Sequence, residues 1–325
     1  MLQGQPALTG YLERAGALPL RDYVPLLPDS LAAQTAPGSC RDVMTRAEPD
    51  DDINYTVLAL GLLEEHGLGL ETEHVARAWL RLLPAGAVFT AERAAYVTLL
   101  NRAHEYFAIG SPAGFDVTEC ADNPCNDWIG AQIRADLYGW VCPGRPDLAA
   151  ELARRDAALS HRGDGIYGAM FVAALGAAIP GAKSLEAAVD DALGEIPADS
   201  GATAAVALGR AQAGSADGAA AIRSHFEELS PVHTLNNLAL VVWALLGHAD
   251  FSAAVGEVVA AGLDTDCNGA TVGGLWGLRG QAIPEHWTKP WRGCVAVSLA
   301  GSGELSLDSL VDRSVAVAER IAREA

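Results

Sequence analysis

The stretch Asp50-Asp51-Asp52-Ile53-Asn54-Tyr55-Thr56-Val57-Leu58-Ala59-Leu60-Gly61-Leu62-Leu63-Glu64-Glu65-His66-Gly67 sets the fold class. Its apolar residues Val57, Leu58, Leu60, Leu62 and Leu63 predict a helix over 54–66, closed by Gly67 in the position past the last turn. Similar patterns predict helices over 11–17, 74–83, 91–107, 127–138, 147–160, 168–178, 185–193, 200–211, 216–229, 236–246, 251–262, 268–278 and 307–323. Asp147, following Pro146, reads as an N-cap. No six-residue alternation marks a strand, and strands do not alternate with helices, which argues against a doubly wound sheet. The expected architecture is all-α: residues 1–325 as a single compact orthogonal multi-helix domain with a metal cleft.

Composition agrees with close helix packing. Half of the residues are hydrophobic, enough for a sizeable core, and only 6% are aromatic, so small side chains must carry much of it. A net charge of −19 speaks against binding a nucleic-acid backbone, which needs a basic face. No apolar run approaches membrane-spanning length, so no membrane partner is expected. The six scattered cysteines show no zinc-finger spacing, and reduced thiols in the cytoplasm are the expectation.

The acidic start of the quoted stretch exceeds what a helix N-terminus needs. One Asp suffices to cap free N–H groups and meet the positive dipole end. A second acidic pair, Asp264-Thr265-Asp266, opens the small-residue stretch Cys267-Asn268-Gly269-Ala270-Thr271. Asp264, Asp266, Asn268 and Gly269 match four positions of a calcium loop, but Leu275 stands where its bidentate carboxylate belongs. Crowded carboxylates repel, and they become stable together when positive charge sits among them. Together the two clusters therefore point to an all-oxygen site for a hard cation, Mg2+, Mn2+ or Ca2+. The soft thiol of Cys267 reads as a neighbour to such a site.

In their order along the chain, these motifs resemble the ADP-ribosylglycohydrolase family. The resemblance rests on Asp50-Asp51-Asp52 and Asp264-Thr265-Asp266, on Trp128-Ile129-Gly130-Ala131-Gln132-Ile133-Arg134, and on Ser160-His161 followed by Gly165-Ile166-Tyr167-Gly168. His233-Thr234-Leu235-Asn236-Asn237 and Ile283-Pro284-Glu285-His286-Trp287 also fit, so that it covers about residues 40 to 290. It implies a helical domain with two Mg2+ ions (Mn2+ in some members) held by Asp50, Asp51, Asp52, Asp264 and Asp266. The implied reaction is hydrolysis of an ADP-ribosyl N- or O-glycosidic bond, on a modified protein or small molecule, with Asp52 and Asp264 in catalytic roles. Gly130, Ala131, Gln132, Arg134, His161 and Tyr167 would contact substrate; for Arg134 the residues allow a phosphate or an aspartate as partner.

The chain departs from the family pattern in two places. Cys267 stands where many members have a ligating threonine, and Leu8 falls near the place of a glutamate that positions water. The N-terminal element looks shortened, with 2–8 as its tail, so a homodimer contact covering that face is expected. A relative that binds ADP-ribose or a related nucleotide with weak catalysis, and a hydrolase of another ribosyl glycoside, are the competing readings.

Overall fold

The computed structural model of the protein describes residues 5–102 and 114–325, and among them sixteen α-helices. The first five are α1 (Gln5–Arg14), α2 (Leu31–Thr35), α3 (Asp51–His66), α4 (Thr72–Leu82) and α5 (Thr90–Asn101). Next come α6 (Asp136–Trp140), α7 (Pro146–Ala157), α8 (Gly163–Ala178), α9 (Leu185–Leu193), α10 (Gly201–Gln212) and α11 (Gly218–His225). The last are α12 (Thr234–Gly247), α13 (Phe251–Ala260), α14 (Thr265–Gly277), α15 (Glu285–Thr288) and α16 (Leu307–Glu324).

Helix α3 begins and ends as its residues dictate. Asp50 is the N-cap, its carboxylate accepting from the Ile53 N–H at 2.8 Å. Gly67 leaves the helix at φ +54°, and a Cβ there would sit 1.9 Å from Arg320 Nη2, so both conformation and space require glycine. Between these ends nine residues are buried, Val57, Leu58, Leu60, Leu62 and Leu63 among them. The core they join runs from α3 to α16; a satellite of Leu12, Ala17 and Leu20 lies under α1. Helices α8 and α12 carry mostly apolar residues on every side and are sunk in that core. Gly139 of α6 lets its backbone meet α8 closely: a Cβ there would stand 2.6 Å from the Ala173 carbonyl oxygen.

Several boundaries differ from the sequence reading. Residues 127–138 do not form one helix: a bridge pairs Trp128 with His233, a 3-10 helix spans Ile129–Arg134, and only then does α6 start. The cause is tertiary: Ile129 N–H donates to Val232 O at 2.9 Å and Thr234 N–H to Asp127 O at 3.1 Å, which holds the segment out of α-helical register. Asp147 is not a cap, because Pro146 already occupies the first turn and Arg145 is the capping position. The helix read over 11–17 is α1, ending at Arg14. That read over 91–107 is α5 to Asn101, and 103–107 lie outside the described residues. So do residues 2–4 of the N-terminal stretch; Gln5 to Leu8 are helical.

One hairpin was not legible. Strands β1 (Cys294–Ala296) and β2 (Glu304–Ser306) pair antiparallel, Val295 opposite Leu305. Three residues are too few to show alternation. The hairpin matters for position: Ala47 bridges to Val295, and Ser298 N–H donates to Asn54 Oδ1 at 2.8 Å. It thereby pins both sides of the triple aspartate.

Candidate metal centre

The two acidic clusters, more than two hundred residues apart in sequence, converge. Ligand atoms of Asp52, Asp266 and Cys267 all lie within 4.8 Å of one another. Cys267 Sγ is 3.6 Å from Asp52 Oδ2. Asp52 is buried, Asp51 half-buried, and Asp50 and Asp266 are exposed, so the group forms a cleft with a dry floor and a wet mouth. The helical course of α14 from Thr265 excludes a calcium loop over the same residues.

The second cluster is set by its surroundings. Asn237 of α12 accepts from the Asp264 N–H at 3.1 Å and from Asn268 Nδ2 at 2.7 Å. Its own amide donates to the carbonyls of His233 (2.8 Å) and Pro231 (2.9 Å). Asp264 occupies the N-cap position of α14 but makes no side-chain cap bond; its carboxyl instead meets Cys267 and Asp266. The preceding Leu263 sits at φ +62°, a left-handed conformation unfavourable for a branched side chain by about 1–2 kcal/mol. Strain of that kind is held only where the surroundings over-determine it.

The carboxyls titrate high. Although Asp50 keeps exposed surface, loss of hydration around its carboxyl within the cleft lifts it to about 6, helped by the charges of Asp51 and Asp266. Burial lifts Asp264 to about 7, with Asp266 the main charged neighbour. Asp52 is held well above the ordinary carboxylate range by burial and then by Asp50, Asp51, Asp266 and Asp264. Asp51 is raised by burial and by Asp266. Among the described residues no arginine or lysine is seen paired with any of these aspartates.

The donor set fits a hard divalent cation. Asp52 and Asp266 bring carboxylate oxygens together, and Asp52 Oδ1 is buried without a hydrogen-bond partner. Gln132 Nε2 and Oε1, Tyr55 OH, Asn268 Oδ1 and Thr271 Oγ1 likewise are buried without a hydrogen-bond partner. Unpartnered buried polar atoms are costly, and so many together mark a region that receives water, ions or ligand. Among the described residues no other group of three metal-capable side chains meets the same distance test.

The residues read as substrate contacts sit mostly beneath the surface. Gly130, Ala131, Gln132, Arg134 and His161 are buried; Tyr167, on α8, is half-buried. Of the two partners read for Arg134, the structure has the acid. Its Nη1 donates to Glu92 Oε1 at 2.7 Å and Nη2 to Ser160 Oγ at 2.8 Å, and Nε meets Asp156 Oδ1. Tyr138 OH donates to Asp156 Oδ2 at 2.6 Å, and Ser160 Oγ is 2.8 Å from His161 Nδ1. Burial and the nearby guanidinium hold His161 neutral. Burial raises Glu92 to about 7, against the opposing pull of Arg134. Gly130 is glycine for this network's sake: a Cβ would lie 2.1 Å from Glu92 Oε1.

Two residues that organise the site were not singled out from sequence. Glu92 reads as a first-turn acid on a surface helix, and only the fold buries it. Asn237 lay in a quoted stretch, but an Asn in an apolar helix carries a signal, a polar side chain needing a partner, that could have been used. Leu8 lies half-buried on α1. It lines a cavity of about 500 Å3 together with Leu263 and Thr265, in which Asp29 is the one carboxylate.

The profile of the ADP-ribosylglycohydrolase family matches residues 7–323. A solved structure described as an ADP-ribosylglycohydrolase-related protein complex is similar at TM-score 0.55 and 19% identity, over 98% of this chain and 96% of that one. At that identity the likeness concerns the fold alone. No curated protein matches the chain.

Proposed function

The chain belongs to the ADP-ribosylglycohydrolase family, and from that membership we propose that it hydrolyses an ADP-ribosyl N- or O-glycosidic bond with Mg2+ or Mn2+ at the acidic cleft. The observation that carries this reading is the meeting of Asp52 with Asp266 and Cys267. Asp50, Asp51, Asp52, Asp264 and Asp266 would hold the cations, two by family resemblance. When bound, such cations neutralise the crowded carboxylates and make water a better nucleophile near neutral pH.

The chain's own residues would do the rest. Glycosidic cleavage passes through an oxocarbenium-like state that needs a proton acceptor for the attacking water. Asp264 keeps its carboxylate out of capping, and Asp52 offers Oδ1 free of any protein donor. In this reading these two would take that proton. Tyr167 retains exposed surface and can offer a ring face to a base. Arg134 and His161 act from below, fixing the 129–134 turn through Glu92 and Ser160. With leucine at position 8, Asp29 is the carboxylate in the adjoining cavity left to orient water.

The test is turnover of ADP-ribosylated peptides, beside calorimetry with ADP-ribose, each with and without Mg2+ or Mn2+. Cation-dependent release of ADP-ribose is the expected result. Tight binding without turnover selects the alternative favoured by Leu8, a nucleotide-binding relative; neither binding nor turnover points to another ribosyl glycoside.

A further inference from the structure

A second cavity, of about 410 Å3, lies behind the acidic cleft. Its walls come from four helices: α3 through Val57 and Leu60, α6 through Leu137, α14 through Gly274, and α16 through Leu310. Val311 and Val315 of α16 also line it, and both are about half exposed, which places them at its rim. The volume falls within the roughly 300–1,000 Å3 range of small-molecule sites. No basic residue lines it.

Three polar atoms of lining residues have no partner: Asp52 Oδ1, which belongs with the acidic cleft, and two on α6. Asp136 is 6% exposed, and its Oδ1 accepts no hydrogen bond. One turn later the Trp140 indole N–H, equally buried, donates to nothing. Both side chains lie against Gly274. A Cβ on Gly274 would stand 3.1 Å from Asp136 Oδ1, 3.1 Å from Trp140 Cζ2 and 3.7 Å from Trp140 Cε2. Glycine within a helix costs about 1 kcal/mol relative to alanine, so its placement here leaves room for both at some expense. Burial raises the Asp136 carboxyl to about 8, which leaves it largely uncharged at neutral pH.

The orphaned pair defines what the cavity would accept. One acceptor and one donor are matched by a group that both donates and accepts, a hydroxyl or an amide. The remaining lining calls for an apolar body. We propose that this cavity is a binding site for an uncharged, largely apolar small molecule whose hydroxyl or amide head bonds Asp136 and Trp140. The site does not depend on the reading of the acidic cleft, although Asp52 lines both.

Naphthamide titrated into the full-length chain, followed by its own fluorescence, tests this directly. Saturable binding is expected, with naphthalene and naphthylmethylamine each at least tenfold weaker. Gly274→Val adds bulk against both side chains, and Leu310→Trp fills the cavity from α16 without touching α14. Each should weaken naphthamide at least tenfold, and the second keeps the test sound should the first unfold the chain. No saturable uptake, or equal uptake by the filled variants, overturns the site. Naphthalene binding as tightly as naphthamide overturns the role of the polar head, and preference for the amine overturns the uncharged class. Self-association that covers Val311 and Val315 without probe uptake assigns the face to a second copy and overturns it as well.

Discussion

Two groups of carboxylates lie close together in this molecule and are treated in opposite ways. Glu92 and Asp156 are buried around Arg134, whose guanidinium reaches both and also bonds Ser160 and the Gly130 carbonyl. Asp50, Asp51, Asp52, Asp264 and Asp266 converge with no such cation. The first group is closed by the chain itself. The second holds carboxylates that a bound proton or an external cation must neutralise, and burial together with their mutual repulsion raises their titration. A buried acid is therefore a poor sign of a ligand site until its partner is known.

The strongest way to break this comparison is to open the closed group. Arg134→Met leaves two buried carboxylates unpaired and should destabilise the fold by about 3–5 kcal/mol in urea unfolding. A loss under about 1 kcal/mol would mean the network is not closed by Arg134.

The open group should behave in reverse. Mn2+ at a hundredfold excess over its dissociation constant should stabilise the chain by about 2.7 kcal/mol. Asp266→Asn should abolish that gain while leaving metal-free stability unchanged or higher, because it removes one of the repelling charges. Both values come from thermal unfolding with and without the ion.

Acidity sharpens the contrast further. Asp50, Asp264 and Asp52 titrate higher folded than unfolded, so the folded chain holds extra protons between about pH 4 and 7. Their contribution to stability is whole below about pH 4 and is lost as pH rises through 6 and 7. Metal-free protein should thus lose stability over that window, and saturating Mn2+ should flatten or invert the slope. The smallest effect belongs to Cys267→Thr, expected to shift metal-free stability by about 1 kcal/mol or less and to tighten Mg2+ binding by replacing a soft donor with a hard one.

Much of this arrangement was legible from local residues. Gly67 and the apolar spacing of α3 and α9 marked helices and one helix end, because caps and periodicity act within a few residues. Excess aspartate beyond capping marked both acidic clusters. Asp50 nevertheless caps α3 as well, so one residue serves the reading proposed as alternative to a ligand. What stayed hidden depends on distant chain. The break at 127–138 comes from pairing with 232–234, and the burial of Glu92 from a network spanning α5, the 129–134 turn and α7. The apolar cavity beside Asp136 exists only once α3, α6, α14 and α16 line it together.

The central claim is that the converged aspartates bind divalent cations. Crystals of the chain grown with Mn2+ and measured at an anomalous wavelength for manganese test it most directly. The account predicts anomalous density within coordination reach of Asp52 and Asp266, and none at Glu92 and Asp156. Density absent from the acidic cleft at saturating Mn2+ would contradict it.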